Sequence, residues 1–414
     1  MGSDKSNKPH NPAGLRNVVS MGFVSFFTDF STEMILGVLP LFIVNNLGAS
    51  RAILGSIEGS SELISYTFRL FSGSLSDKLG KRKIFVLIGY GISTVIKPFF
   101  ATSTSWLDAF VIRATDRIGK GIRTAPRDAL ITDSVSESIS GKAFGIHRTI
   151  DQTGAIVGPI AAFALLPLMD IRGIFIVSLI PGVVAVIILI FFVKEVSAKR
   201  KHSDTTKSTK TIMFSNFGSV LKGNNSFVLL LVISAIFSVG TFNYSFILLK
   251  ASDLGIGKDV IPLVYAVINI SHTIIGIPAG VLADRIGKER VLIIGYFMFI
   301  VSAMLMIGLS GNSHYAYVLA AIFGLYVGIS EIVQRAVIPK YISSDLRGTA
   351  FGLYYVVVGT SFFISNITFG FLWDNYNLIT AISYSIIFTS TAIIGMFAFV
   401  KAKYPVSKNN LSQN

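Results

Sequence analysis

The chain has 414 residues, of which 52% are hydrophobic and only 14% charged, with a formal net charge of +14 and no cysteine. Soluble chains carry charge at nearly twice that density, so the composition, with a mean hydropathy of +0.67, is that of a membrane protein. The missing cysteines exclude disulfide frameworks and thiolate metal sites, and none of the five histidines stands in a metal-ligand spacing. The basic excess lies in loops between apolar runs, which reads as membrane topology and not as a nucleic-acid surface.

A spanning helix needs roughly 20 apolar residues, and twelve such segments are expected. Those of the first half fall near 17–45, 53–76, 84–103, 106–130, 142–167 and 172–194; those of the second near 226–250, 259–283, 290–309, 314–340, 348–373 and 378–401. The polar stretch 1–16 reads as an N-terminal tail and not a cleavable signal peptide. Residues 17–194 form one six-helix bundle, 195–225 a linker rich in Ser, Thr and Lys, 226–401 a second bundle and 402–414 a C-terminal tail.

One side of the membrane receives Lys5, Lys8, Arg16, the Lys78–Lys83 turn, the linker, Arg285 to Arg290 and Lys401 to Lys408. The other side holds little beyond Arg51, Arg172, Lys250 and Lys258. The positive-inside rule then places both termini and the linker in the cytoplasm.

The halves are copies. Gly73-Ser-Leu-Ser-Asp77-Lys-Leu-Gly80-Lys81-Arg82-Lys83 returns as Gly280-Val-Leu-Ala-Asp284-Arg-Ile-Gly287-Lys288-Glu-Arg290, an offset of 207 residues. The same offset lays Gly141-Lys-Ala-Phe-Gly145 on Gly348-Thr-Ala-Phe-Gly352 and Ala129-Leu130-Ile131 on Ala336-Val337-Ile338. Three separated matches at one offset mark an internal duplication.

The basic turn after segment 2, with its weaker copy after segment 8, resembles the signature Gly-x-x-x-Asp-x-x-Gly-Arg/Lys-Arg/Lys of the major facilitator superfamily. The resemblance covers about Arg16 to Lys403. It implies an all-α fold of two six-helix bundles, a central cavity between them and alternating access by rocking. Gly73, Asp77, Gly80, Lys81 and Arg82, with Asp284 and Arg285 in the copy, then take the family's gating place; the plainer reading is that the cations only set topology.

Segment 5 carries Gly145, Gly154 and Gly158-Pro159. This spacing is similar to the signature of proton-coupled drug and metabolite antiporters within that superfamily, although Ala162-Phe163 stands where the family has Gly-Gly. Glycines at these intervals permit close helix approach and Pro159 bends the segment; tight packing of segments 5 and 8 is the alternative meaning.

Ionisable groups inside a bilayer each cost about 2.5–3.5 kcal/mol at a helix centre, so they are rarely idle. Segment 1 places Asp29 and Glu33 one turn apart on one face, and segment 2 repeats the device with Glu58 and Glu62. Segment 4 answers with Arg113, Asp116, Arg117, Lys120, Arg123 and Arg127. The proton-coupling candidates are therefore Asp29, Glu33, Arg113, Asp116, Glu58 and Glu62, with Arg113 in the place of the family's proton-coupled arginine; a permanently paired network that only fixes packing is the alternative. His147, Arg148 and Asp151 sit near the start of segment 5, the histidine read as structural, and Lys97 is expected to snorkel outward. Phe26, Phe30, Asn243, Asn269, Glu331 and Tyr354 are the substrate-cavity candidates.

There is no phosphate loop, nucleophile elbow or metal cluster, so neither an enzyme nor a cofactor is expected. The leading reading is a monomeric, multi-pass cytoplasmic-membrane transporter that exports a small organic molecule against protons. A proton symporter importing a nutrient or an organic anion is the alternative, to which the basic stripe of segment 4 gives weight. A receptor or scaffold would need no acidic pair at mid-membrane.

Overall fold

The computed structural model describes residues 12–136, 139–196, 220–222, 224–308, 311–343 and 346–403. The N-terminal tail to residue 11, most of the linker and the tail from 404, with Lys5, Lys8 and Lys408, lie outside the described residues.

An apolar run in a bilayer must satisfy its backbone within itself, which a helix does. The described residues are helical, with no strand among them. The first half gives α1 (Pro12–Leu36), α2 (Arg51–Leu79), α3 (Arg82–Ile96), α4 (Trp106–Ser134), α5 (Ser140–Leu165), α6 (Ile171–Val177) and α7 (Leu179–Phe192). The second gives α8 (Asn225–Gly240), α9 (Tyr244–Asp253), α10 (Ile261–Ile286), α11 (Lys288–Gly308), α12 (Tyr315–Val337), α13 (Arg347–Asn375) and α14 (Leu378–Lys403).

The offset of 207 holds at two helix starts: Ser140 maps onto Arg347 and Ile171 onto Leu378. Among the described residues nine spans are long and apolar enough to cross a membrane, several of them joining short neighbouring helices or turns. The three further long helices, α2, α4 and α5, are not among these spans and carry charged residues along their length.

The chain divides into two compact units that do not follow the sequence halves. One comprises Met1–Ile35, Thr67–Thr102 and Thr115–His202; the other comprises Leu36–Tyr66, Ser103–Ala114 and Ser203–Asn414. The boundary cuts α2 after Tyr66 and α4 after Ala114.

In the first unit Val18, Met21 and Val24 of α1 meet Val86 and Tyr90 of α3, Leu130 and Ile131 of α4, Ala143 of α5, and Ala185 and Leu189 of α7. Where α3 crosses α4, a Cβ on Gly89 would stand 2.6 Å from the Gly119 carbonyl, and one on Gly119 2.7 Å from that of Gly89. Small residues bring the two backbones together, as expected where lipid supplies no hydrophobic drive between helices.

The second unit has an aromatic interior. Phe237 stacks on Tyr296 at 3.6 Å, and Phe242 reaches Phe299 at 4.9 Å and Phe369 at 4.5 Å. In the same unit the first half of α2 lies along α13. The Ala52 amide donates to Asp374 Oδ2 (2.9 Å), and Arg51 pairs with Asp374 (3.5 Å) and Asp253 (3.6 Å) while its guanidinium covers the Trp373 ring.

Candidate functional site

In the first unit α5 lies directly on α1, and glycine is the reason. A Cβ on Gly154 would collide with the Phe26 carbonyl, and one on Gly158 would stand 2.7 Å from the Phe30 carbonyl and 3.0 Å from Glu33 Cβ. One turn further along, Gly22 of α1 would place a Cβ 2.9 Å from Ile150 of α5. The glycines of the antiporter-like pattern thus serve a seam beside the acids of α1. Gly145 is apart, with open space around it, and α5 runs unbroken through buried Pro159.

Along this seam Asp29 of α1 and Asp151, a buried residue of α5, act on each other electrostatically. Glu33 on α1 and Lys120 on α4 are the other charges acting on Asp29. Asp151 also receives Arg148 Nη1 at 3.3 Å and feels Arg127 and His147. His147, 3% exposed, faces Ser25 Oγ at 3.0 Å, and Ser25 faces the Tyr90 hydroxyl at 2.9 Å. The Arg123 guanidinium lies over the Tyr90 ring and donates to Ser93 Oγ at 2.7 Å.

Lys97 departs from its expected position. Its side chain does not snorkel outward; it is 2% exposed and donates to Ser31 Oγ (2.7 Å) and Thr32 Oγ1 (3.1 Å) of α1. Ser31 donates its own proton to the Ser178 carbonyl, which leaves its lone pairs for the ammonium. The hydroxyls that hold Lys97 lie between Asp29 and Glu33 in sequence, and Asp29, Glu33, Asp116 and Arg123 all act on it electrostatically. Among the described residues neither Lys97 nor Arg123 forms an ion pair with a carboxylate.

Of the other coupling candidates, Arg113 and Glu58 form an ion pair at 2.8 Å with each side chain 1% exposed. This pair belongs to the second unit, whereas Asp29, Glu33 and Asp116 belong to the first. Asp116 is buried, and its carbonyl receives Ser93 Oγ; Glu62 is half-buried one turn from Glu58. Further along α4, Arg127 closes on its neighbour Asp128.

Of the cavity candidates, Phe26 and Phe30 lie in the first unit, and Asn243, Asn269, Glu331 and Tyr354 in the second. Phe26 and Phe30 are half-buried on α1, their rings 6.2 Å apart. Asn243 caps α9 by accepting from the Ser245 amide, and its own amide donates to Asn366 Oδ1, a helix-end role. Asn269 is 8% and Tyr354 2% exposed. Glu331 accepts from His272 Nε2 (2.9 Å) and Arg335 Nη2 (2.7 Å), a half-buried cluster between α10 and α12.

At the basic turn Gly80 takes φ +64°, in the left-handed region where glycine is at ease. That reversal lets Arg82 reach both Asp77 (2.8 Å) and Asp133 (2.7 Å), while the amides of Arg82 and Lys83 donate to the Glu195 carboxylate. Gly73 faces Ala125 across a tight helix contact, and Lys81 is exposed. In the copy, Glu289 stands at the place of Arg82, so Asp284 and Arg285 are exposed and make no ion pair among the described residues. Glu289 instead accepts from Lys340 Nζ (2.6 Å) and from the Tyr341 hydroxyl.

Sequence reasoning passes over Ser25, Ser31 and Tyr90, and it names Lys97 and Asp151 without their surroundings. Lys97 and Asp151 are visible as charges within apolar runs. The serines and the tyrosine carry no signal that separates them from others.

The chain matches the Major Facilitator Superfamily over residues 21–249 and 228–414. It is 36% identical over 367 residues to an uncharacterized MFS-type transporter of Methanocaldococcus jannaschii, covering 86% of this chain and 88% of that one. It is 27% identical over 312 residues to the multidrug resistance protein MdtG of Proteus mirabilis, covering 72% and 75%. Among solved structures, the nucleoside transporter NupG is similar in fold at a TM-score of 0.71 and 16% identity, covering 93% of this chain and 98% of that one. A POT family transporter in complex with 5-aminolevulinic acid is similar at 0.78 and 13%, covering 95% and 97%.

Proposed function

The chain belongs to the Major Facilitator Superfamily, a family of membrane transporters and not of enzymes, and from that premise we propose a proton-coupled antiporter that exports a small organic molecule. In this reading twelve helices cross the cytoplasmic membrane as two six-helix bundles related by the duplication, and both termini and the linker are cytoplasmic. The protein works as a monomer by alternating access. Gly73, Asp77, Gly80, Lys81 and Arg82 form the gate.

The observation that carries the reading is the α1–α5 seam. Three glycines hold a pair of intramembrane acids, Asp29 and Glu33, against α5, and acids in such a place are expected to bind and release protons. The likeness to proteins named for multidrug resistance supports export. Import by symport is the second reading, because buried Lys97 and Arg123 leave cationic charge beside α1 and α3 that suits an anionic solute.

Proteoliposomes with a pH dye inside and an acidic lumen test the two. Under antiport, adding a transported compound outside makes the lumen more alkaline as the compound enters. Symport instead acidifies the lumen with no imposed gradient. Under either, Asp29→Asn and Glu33→Gln are expected to weaken the proton movement; flux intact in both removes the acid pair from the mechanism.

A further inference from the structure

We propose that the transported solute carries a cationic group, guanidinium or ammonium, and that Glu331 of α12 receives it in the place taken here by Arg335. This rests on the transporter reading and adds to it the chemical class of the solute.

Glu331 is held from two helices. His272 Nε2 of α10 donates to Glu331 Oε2 at 2.9 Å, and Arg335 Nη2, one turn along α12, donates to Glu331 Oε1 at 2.7 Å. A carboxylate only accepts, so the imidazole carries a hydrogen on Nε2 and fixes the angle of the carboxylate. Glycine brings the helices close enough for this. A Cβ on Gly328, one turn before Glu331, would stand 2.6 Å from the His272 carbonyl, and one on Gly324 would collide with the Ile268 carbonyl.

The two donors differ in how easily they are replaced. The side chain of His272 is 15% exposed and that of Arg335 49%, with Glu331 at 28%, whereas Arg113 and Glu58 are 1% each. A pair within one helix, with its cation half open to solvent, is weak. Another cation therefore displaces Arg335 readily, while His272 keeps the carboxylate in position. The opening is not toward lipid. Ile274 and Ile277 are the most exposed apolar residues of α10 and mark its lipid face. At 3.6 residues per turn His272 lies about 160° and about 140° around the helix from them. Ionisable side chains inside a membrane face protein or water, so the open side of Glu331 faces water. Arg335 stands in the last turn of α12, at the end where Lys340 pairs with Glu289 beside the Gly287 turn. In the topology proposed above this is the cytoplasmic end, from which an exporter takes its solute. The guanidinium of Arg335 already makes the charge-assisted N–H···O contact that a guanidinium or ammonium solute would make.

Equilibrium dialysis of the full-length protein in lipid nanodiscs tests the site with phenylguanidinium and with phenylurea, which has nearly the same shape and no charge. Wild type is expected to bind phenylguanidinium and not phenylurea. Glu331→Gln is expected to weaken phenylguanidinium binding at least about ten-fold. Arg335→Ala is expected to tighten it about two- to five-fold, because one competing cation is gone. A residue that only supports the fold would not give tighter binding when it is removed. Equal binding of phenylurea, no binding of phenylguanidinium, or Arg335→Ala binding no more tightly than wild type overturns the proposal. Should Glu331→Gln fail to fold, Arg335→Ala and the phenylurea comparison decide it. In proteoliposomes, phenylguanidinium that binds but moves no protons would end the antiport reading and leave the cation site standing. Proton movement driven by phenylurea, with no binding of phenylguanidinium, would end the cation site and leave antiport standing.

Discussion

The two sequence halves share a helix register but not an interior. Shifted by 207 residues, Asp29 becomes Ile236, Lys97 becomes Met304, Arg113 becomes Ala320 and Asp116 becomes Phe323. Likewise Arg123 becomes Ser330, His147 becomes Tyr354 and Asp151 becomes Val358. Where the first half joins its helices through ammonium, guanidinium and carboxyl groups, the second joins them through aromatic rings: Phe237 stacked on Tyr296, and Tyr326 edge-on to Phe299 at 5.0 Å. Duplication preserved the order of the long helices and two of their starts, Ser140 with Arg347 and Ile171 with Leu378. It did not preserve the chemistry of contact, because a buried ion pair and an aromatic pair both close a helix interface. They differ in response: an ion pair answers to protons, and a ring stack does not. The proposed antiport therefore assigns coupling to the charged half.

The sharpest test of that contrast is Arg113→Ala. It leaves Glu58 charged, buried and without its 2.8 Å partner, and losing one member of a buried pair costs about 3–5 kcal/mol. The melting temperature in detergent should fall steeply, and the Glu58→Gln, Arg113→Ala double variant should recover much of the loss. A double variant no better than the single would mean that Arg113 is held by packing.

In the second half the corresponding test is Phe237→Ala, which removes the ring between Tyr296, Phe299 and Tyr326. Truncating a buried Phe costs about 3 kcal/mol or somewhat more. Its melting temperature should be lowered equally at acidic and neutral pH, whereas Asp29→Asn or Asp151→Asn should change the pH dependence of stability. If Phe237→Ala proved as pH-sensitive as the aspartate variants, the contrast between the halves would fail.

The membrane class, the duplication and the family turn are legible because each is written in composition or in repeated spacing. The acids and bases of segments 1, 2 and 4 are legible for the same reason: charge inside an apolar run stands out. Their pairing is not. That Arg113 pairs with Glu58 cannot be read from the sequence, because which face of a helix meets which neighbour is invisible when every face is apolar. Lys97 defeats the expectation because a lysine near a helix end either reaches outward or turns inward, and the choice depends on the hydroxyls of Ser31 and Thr32 on another helix. The glycine pattern of segment 5 is plain in the sequence, but not that Gly154 and Gly158 meet α1.

Those glycines separate a packing motif from its outline. Gly154→Ala puts a methyl into the Phe26 carbonyl and should cost about 1–3 kcal/mol by overpacking, with a matching loss of transport in proteoliposomes. Gly145→Ala, in the same pattern but with open space around it, should stay within about 0.5 kcal/mol of wild type. Equal effects at both positions would mean that helix flexibility, and not close approach, is what the glycines supply.

The smallest effect is expected where the two halves are most alike. Arg82 pairs with Asp133 at 2.7 Å, and 207 residues on Glu289 pairs with Lys340 at 2.6 Å: the same two positions, joining the start of one helix to the end of the next, with the signs exchanged. Each pair has one partner open to solvent, Asp133 at 23% and Lys340 at 33%, and pairs screened in this way are worth about 0–1 kcal/mol. Glu289→Arg alone sets a second cation beside Lys340 and should lower stability by about 1 kcal/mol. Adding Lys340→Asp rebuilds the first-half arrangement in the second and should return the melting temperature to near that of wild type. Recovery would identify the pair as a tie between helix ends that is indifferent to direction, so that duplication could invert it freely. Failure to recover would assign the sign of Glu289 a role of its own, through the Tyr341 hydroxyl that donates to it and has no counterpart at Ser134.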